Sequence, residues 1–184
     1  MKLNLGSGEF PKPGFVNLDR DALQGVDVVH DLDVFPYPFA DGQFDRIEAD
    51  HVLEHLGQVF DVMREIHRIL APGGVVVIRV PHFSRGFTHP EHRRGFNVTF
   101  PCYFDPAFPG GYCGVAFTCL RMRLRWFAEP HLKRAVLPRP VNVIGRGAGA
   151  AIDALANLSP LACSRIWCYW VGGFEEIQFV LRKA

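Results

Sequence analysis

Residues 3–21, LNLGSGEFPKPGFVNLDRD, set Gly6 and Gly8 at the end of one apolar run and Asp19 at the end of the next. Glycines at such a point let the backbone turn sharply and let a ligand lie against it, because no side chain intervenes. A glycine pair by itself is more often a plain tight turn. A dinucleotide fingerprint asks for more, namely a third glycine for close helix packing and an acid about 20 residues further on. Here Pro11 stands at the third-glycine position and Asp19 follows the loop by only about ten residues. That spacing leaves little room for a helix aimed at a pyrophosphate.

The histidines are the next residues with chemistry to offer. His82, His89 and His92 fall together in PHFSRGFTHPEHRRGF, and His51 lies upstream. With His51 the three could assemble a metal site for a hydrolase, but the spacing matches no tight ligand set, so no metal is assigned. Glu54 and His55 in HVLEHL read as loop and helix-entry residues. Arg121, Arg123 and Arg125 alternate with Met122, Leu124 and Trp126, which places the arginines on one face of a half-exposed strand. Solvent is the simpler neighbour for that face. Arg93 and Arg94 lie closer to the end of the preceding strand and are better candidates to hold an acceptor.

These residues must be positioned by short elements. Strands are expected at 2–5, 15–18, 26–30 and 44–49, each ending near a polar residue or glycine. Val59, Met63, Ile66 and Leu70 define one face of a helix over 58–70, which Pro72, Gly73 and Gly74 stop. VVVIRV then reads as a strand buried on both faces of a parallel sheet. Further strands are expected at FTCLRMRLRWF and EEIQFVL, with a short helix near 148–158 between them. IWCYWVGGF could be a membrane-touching tip or an oligomer contact, but reads first as core beneath the final strand.

Composition bounds the rest. The chain has 184 residues, 48% hydrophobic, with a net charge of +1, which suits one domain over 1–184 and advertises no nucleic-acid partner. Five cysteines without a Cys-x-x-Cys pair read as reduced thiols. No signal peptide and no run long enough for a membrane span is seen, so a cytoplasmic location is expected.

LNLGSG, VNLD, HDLD, PYPFADGQFD, HVLEHL and EIHRILAPGGVVVIRVP, in that order, resemble the class I S-adenosylmethionine-dependent methyltransferases, over roughly residues 3–82. The resemblance implies an α/β, Rossmann-like, mostly parallel sheet with helices, a shortened N-terminal half and an antiparallel C-terminal strand. It implies S-adenosyl-L-methionine as cofactor, with Gly6, Ser7 and Gly8 against its methionine part and Asp19 on the ribose hydroxyls. Asp31 would read the adenine with the backbone of Leu32 beside it, and Asp50 and His51 would lie near the methyl group. The segments 83–115 and 135–172 become acceptor-side insertions, with His89, His92, Arg93 and Arg94 as candidate substrate-binding residues. His51, His82 and, more weakly, Tyr103 are the candidate bases. The acceptor implied is a small molecule or glycan. A cofactor-binding subunit without its own turnover stays open, as does a homodimer, or a lid folded over from 135–172, that covers the sheet face left without helices.

Overall fold

The computed structural model describes residues 1–85 and 89–184. Seven strands form one sheet: β1 (Lys2–Leu5), β2 (Val16–Asp19), β3 (Val28–Val29), β4 (Phe44–Asp50), β5 (Leu70–Pro81), β6 (Phe117–Arg125) and β7 (Glu176–Lys183). Their order is β3-β2-β1-β4-β5-β7-β6; the first five run parallel, and β7 enters antiparallel between β5 and β6. This is the Rossmann-like arrangement that the resemblance implies. α1 (Val59–Ile69) lies between β4 and β5, and α2 (Pro130–Lys133), α3 (Arg139–Ala156) and α4 (Pro160–Arg165) lie between β6 and β7.

The two faces of the sheet differ in chemistry. Leu3, Leu5, Ile47, Ile78 and Phe179 belong to the buried core, together with Val62, Met63 and Ile66 of α1. Directly paired residues share a face, so the opposite face can be read from the register. Asp50 pairs with Arg79, Arg79 with Gln178, and Gln178 with Arg123, a polar row across four strands. Asn4 likewise pairs with Asn17 on one side and Glu48 on the other.

That polar face explains how the N-terminal half dispenses with helices. A parallel crossover ordinarily takes a dozen or more residues and a helix. Here residues 6–15 cross as an irregular strap stitched to the face by side chains. Asn4 Nδ2 donates to Asn17 Oδ1 at 3.0 Å and to the Phe10 carbonyl at 3.2 Å, while the Lys12 amide donates to Asn17 Oδ1 at 2.7 Å. Lys12 Nζ reaches both Glu48 and Asp50 at 2.7 Å. The strap's buried backbone groups are thereby satisfied without a helical ladder. A face of this composition does not need a second subunit to hide it from water.

Three elements differ from expectation. β3 is only two residues long. α3 spans 18 residues rather than about eleven, because Pro138 and Pro140 suit a helix start and its three glycines do not break it. IWCYWVGGF is not core throughout: Cys168 and Phe174 are buried, but Ile166, Tyr169 and Trp170 are exposed. All five cysteines are free thiols.

Candidate functional site

The strand ends β1, β4 and β7 meet at one cavity of about 840 Å3, lined by Gly6, Ser7, Gly8, Asp50, His51, Arg79, Arg123, Arg125, Glu129 and Glu176 among others. Gly6 has φ +67°, and a Cβ there would collide with Val52; Gly8 has φ +49°, and a Cβ there would project into open space. The first glycine is needed for packing, and the second leaves room for a ligand. Between them Ser7 is almost fully buried, and its Oγ has no hydrogen-bond partner. Asp19 closes the loop from β2: its Oδ2 accepts from the Gly8 amide at 2.7 Å and its Oδ1 from the Asp21 amide at 3.1 Å. Each oxygen keeps a lone pair for a further donor.

Asp31 and Leu32 follow β3. Asp31 is exposed with Oδ1 accepting from the Asp33 amide at 2.9 Å, and the Leu32 carbonyl accepts from the Tyr37 hydroxyl at 2.9 Å. Asp33 reaches across to accept from the Gly57 amide at 2.9 Å, supplying the α1 N-terminus with a carboxylate that Gln58 does not provide. Asp50 is engaged by Lys12 and Arg79. Burial alone would raise its pKa, but the two cations hold it below the usual carboxylate value.

His51 follows β4 in the left-handed region at φ +52°. Its Nε2 lies 3.0 Å from Glu176 and its Nδ1 3.3 Å from the fully buried Glu54. Burial would lower the imidazole pKa, yet Glu176, Glu54 and Glu129 outweigh it, and the ring is pushed up to about 10. The expectation of a base here rested on imidazole titrating near neutrality. Carboxylates at both ring nitrogens leave it a donor on both sides.

Of the other candidate bases, His82 is fully buried at the end of β5, with Nδ1 2.7 Å from Ser84 Oγ and Nε2 2.9 Å from Ser164 Oγ. Tyr103 packs its ring on Phe60 of α1, with centroids 5.4 Å apart. Neither is among the cavity-lining residues.

The four candidate substrate-binding residues are brought together around the loop after His51. His89 and His92 stack at 4.9 Å, and His55 lies edge-on to His92 at 4.9 Å. The Arg93 amide donates to the Glu54 carbonyl at 2.9 Å, and Arg94 Nη2 donates to the Leu56 and Gly57 carbonyls at 3.1 and 2.9 Å. They brace that loop instead of lining the cavity. Glu54, His55 and His92 present ligand atoms within 4.8 Å of one another and are the described residues that could hold a metal ion.

Sequence reasoning missed Glu129 and Glu176, and it set the β6 arginines aside. Glu129, at φ +46°, and His51 are the two non-glycine residues at positive φ among the described residues, and both line the cavity. Their side chains approach to 4.0 Å. Strained backbone of this kind concentrates at functional sites.

A mostly parallel sheet with a glycine loop after β1, an acid after β2 and a cavity at the strand ends defines an α/β protein of the Rossmann-like class. Residues 11–78 match the profile of a methyltransferase domain family. No curated protein matches the chain in sequence. Among solved structures, a SAM-dependent methyltransferase from Archaeoglobus fulgidus is similar at TM-score 0.60 and 17% identity, over 99% of this chain and 85% of that one. An S-adenosylmethionine-dependent methyltransferase from Mesorhizobium loti is similar at TM-score 0.56 and 14% identity, over 99% and 90%. The YcgJ protein from Bacillus subtilis is similar at 0.54 and 15%, over 98% and 89%. The chain thus shares the fold of these methyltransferase structures, and its residues 11–78 match the methyltransferase-domain family.

Proposed function

We propose that the protein transfers a methyl group from S-adenosyl-L-methionine to a small-molecule or glycan acceptor. The observation that carries this reading is the single cavity that joins the glycine loop to His51, Glu129 and the arginines of β6. Its volume of about 840 Å3 falls within the range of small-molecule sites. The orphaned Ser7 hydroxyl and the open space at Gly8 fit a polar ligand lying on the loop.

In this reading Gly6, Ser7 and Gly8 hold the methionine part, Asp19 takes the ribose hydroxyls, Asp31 and Leu32 frame the adenine, and Asp50 and His51 flank the reacting end. The cofactor supplies an activated methyl group. The chain's contribution is then chiefly to bring the acceptor into line, which can account for much of the rate enhancement. Arg123 and Arg125 suit an acceptor with an anionic or polyhydroxylated part, since guanidinium groups donate several hydrogen bonds in a fixed plane. Where the acceptor is a hydroxyl, Glu129 is better placed than His51 to take its proton, because His51 already faces carboxylates at both nitrogens.

Calorimetric titration with S-adenosylhomocysteine, with NAD run beside it, tests the cofactor. Binding of the first is expected, weakened about tenfold or more in Asp19→Ala through lost ribose hydrogen bonds. Binding of NAD alone, or an Asp19→Ala variant that binds as well as the wild type, would overturn the assignment.

A further inference from the structure

α3 is built inside out. Its buried positions, Asn142, Gly149, Asp153 and Ala156, lie along one stripe and carry polar or small side chains. That stripe is held to the end of β6 and the chain following it by hydrogen bonds and close backbone approach. Asp153 Oδ1 accepts from the Trp126 amide at 2.7 Å, and just beyond the helix Asn157 Oδ1 accepts from the Leu124 amide at 2.8 Å. Gly145 and Gly149 let Phe127 lie so near that a Cβ would meet it at 3.0 and 2.8 Å.

Apart from Ile152, which packs against the core, the larger apolar side chains point away from that stripe. Val143, Ile144 and Leu155 of α3, Leu158 in the following turn, and Ile166 and Trp170 beyond α4 are exposed, Leu158 and Trp170 to 82% and 78%. Large apolar side chains exposed together on one cap mark an interaction site. Its charge is of one sign: among the described residues of 130–172, every exposed charged residue is an arginine, and apart from Arg146, which lines the cavity, these are Arg134, Arg139 and Arg165. The one acid in the segment, Asp153, is buried. The whole chain carries only +1, so positive charge is concentrated on this cap.

We propose that the outer surface of α3, α4 and the Ile166–Trp170 turn docks on an anionic lipid surface. Exposed apolar and aromatic side chains with arginines between them are the chemistry of a segment that lies in the headgroup region, where guanidinium groups meet lipid phosphates. The segment lies on the bilayer, since among the described residues no helix is long and apolar enough to cross one. A second copy of the chain is a poorer occupant. A two-fold contact would set this patch against itself and bring arginines against arginines.

Co-sedimentation of the full chain with vesicles of phosphatidylcholine, and of phosphatidylcholine mixed with phosphatidylglycerol, tests this. Binding to the mixed vesicles is expected, with a blue shift of tryptophan emission and loss at high salt. Arg139→Ala with Arg165→Ala should weaken it about 25-fold, and Ile144→Ser with Trp170→Ser should abolish it, each with an unchanged circular dichroism spectrum. Neither pair touches the cavity lining. Binding to neither kind of vesicle, or equal binding to both, overturns the proposal. A dimer by light scattering without vesicle binding does so too and would make the patch a self-interface.

Discussion

Glu129→Gly is expected to keep the fold within about 1 kcal/mol of wild-type stability while lowering methyl transfer to a hydroxyl acceptor roughly a hundredfold or more. The two halves of that prediction have separate causes. Glu129 holds φ +46° and ψ +52°, which glycine adopts without the steric cost that a Cβ brings. Its side chain is 40% exposed and makes only a 4.0 Å approach to His51, so its removal forfeits little packing. What is lost is a carboxylate on the cavity wall beside His51. Glu129→Gln retains the shape and the strain and removes only the basicity. Thermal melting reads the first half; S-adenosylhomocysteine release with a hydroxylated acceptor reads the second. If Glu129→Gln turns over as fast as the wild type, the proton is taken elsewhere.

The legible parts of this protein were those in which one local segment carries its own geometry. The Gly6-Ser7-Gly8 loop and Asp19 could be paired from the sequence because a single crossover joins them. α1 announced itself through the spacing of Val59, Met63 and Ile66. The cavity's far wall was not legible in the same way. Alternation put Arg121, Arg123 and Arg125 on one face, but only the pairing of β6 with β7 and of β7 with β5 sets Arg123 in a row with Gln178, Arg79 and Asp50. Glu176 reaches His51 across 125 residues of sequence. No local pattern encodes such a contact.

A signal for the polar face was nevertheless present. LNL and VNLD each place an asparagine at a position where the neighbouring residues are buried and apolar, and β1 and β2 pair those two asparagines directly. Two amides in register inside apolar strands are costly unless they bond, so they pointed to a strap in place of a helix. α3 defeats pattern reading for the opposite reason. Its inward side is polar and small, so a periodicity search that assumes an apolar inner face assigns the helix too late and its exposed neighbours to the core.

His82 makes stability sensitive to mild acid. Its ring is fully buried, its nitrogens face Ser84 and Ser164, and burial alone pushes its pKa down from 6.5 to about 4. The unfolded chain therefore takes up this proton as pH falls below about 6.5, while the folded chain resists until about 4. Stability from the neutral ring is fully present above 6.5 and declines through that window, by roughly 3 to 4 kcal/mol in all at about 1.4 kcal/mol per unit of pKa difference. Urea unfolding of the wild type should show a midpoint that drops between about pH 6 and pH 4; nearer pH 7 the raised pKa of His51, whose contribution grows as pH falls toward 6.5, offsets it. His67 contributes in the same direction, its pKa lowered by burial and by Lys183, so the comparison that isolates His82 is with His82→Gln. That variant should be less stable at neutral pH and show a shallower decline on acidification. Parallel curves for the two proteins would mean the ring is not held neutral. Because Ser164 belongs to α4 and His82 to the chain leaving β5, protonation should first loosen the bond between the sheet and the arginine-bearing cap. Amide hydrogen exchange over 160–170 at pH 5 should then rise before that of β4 and β5.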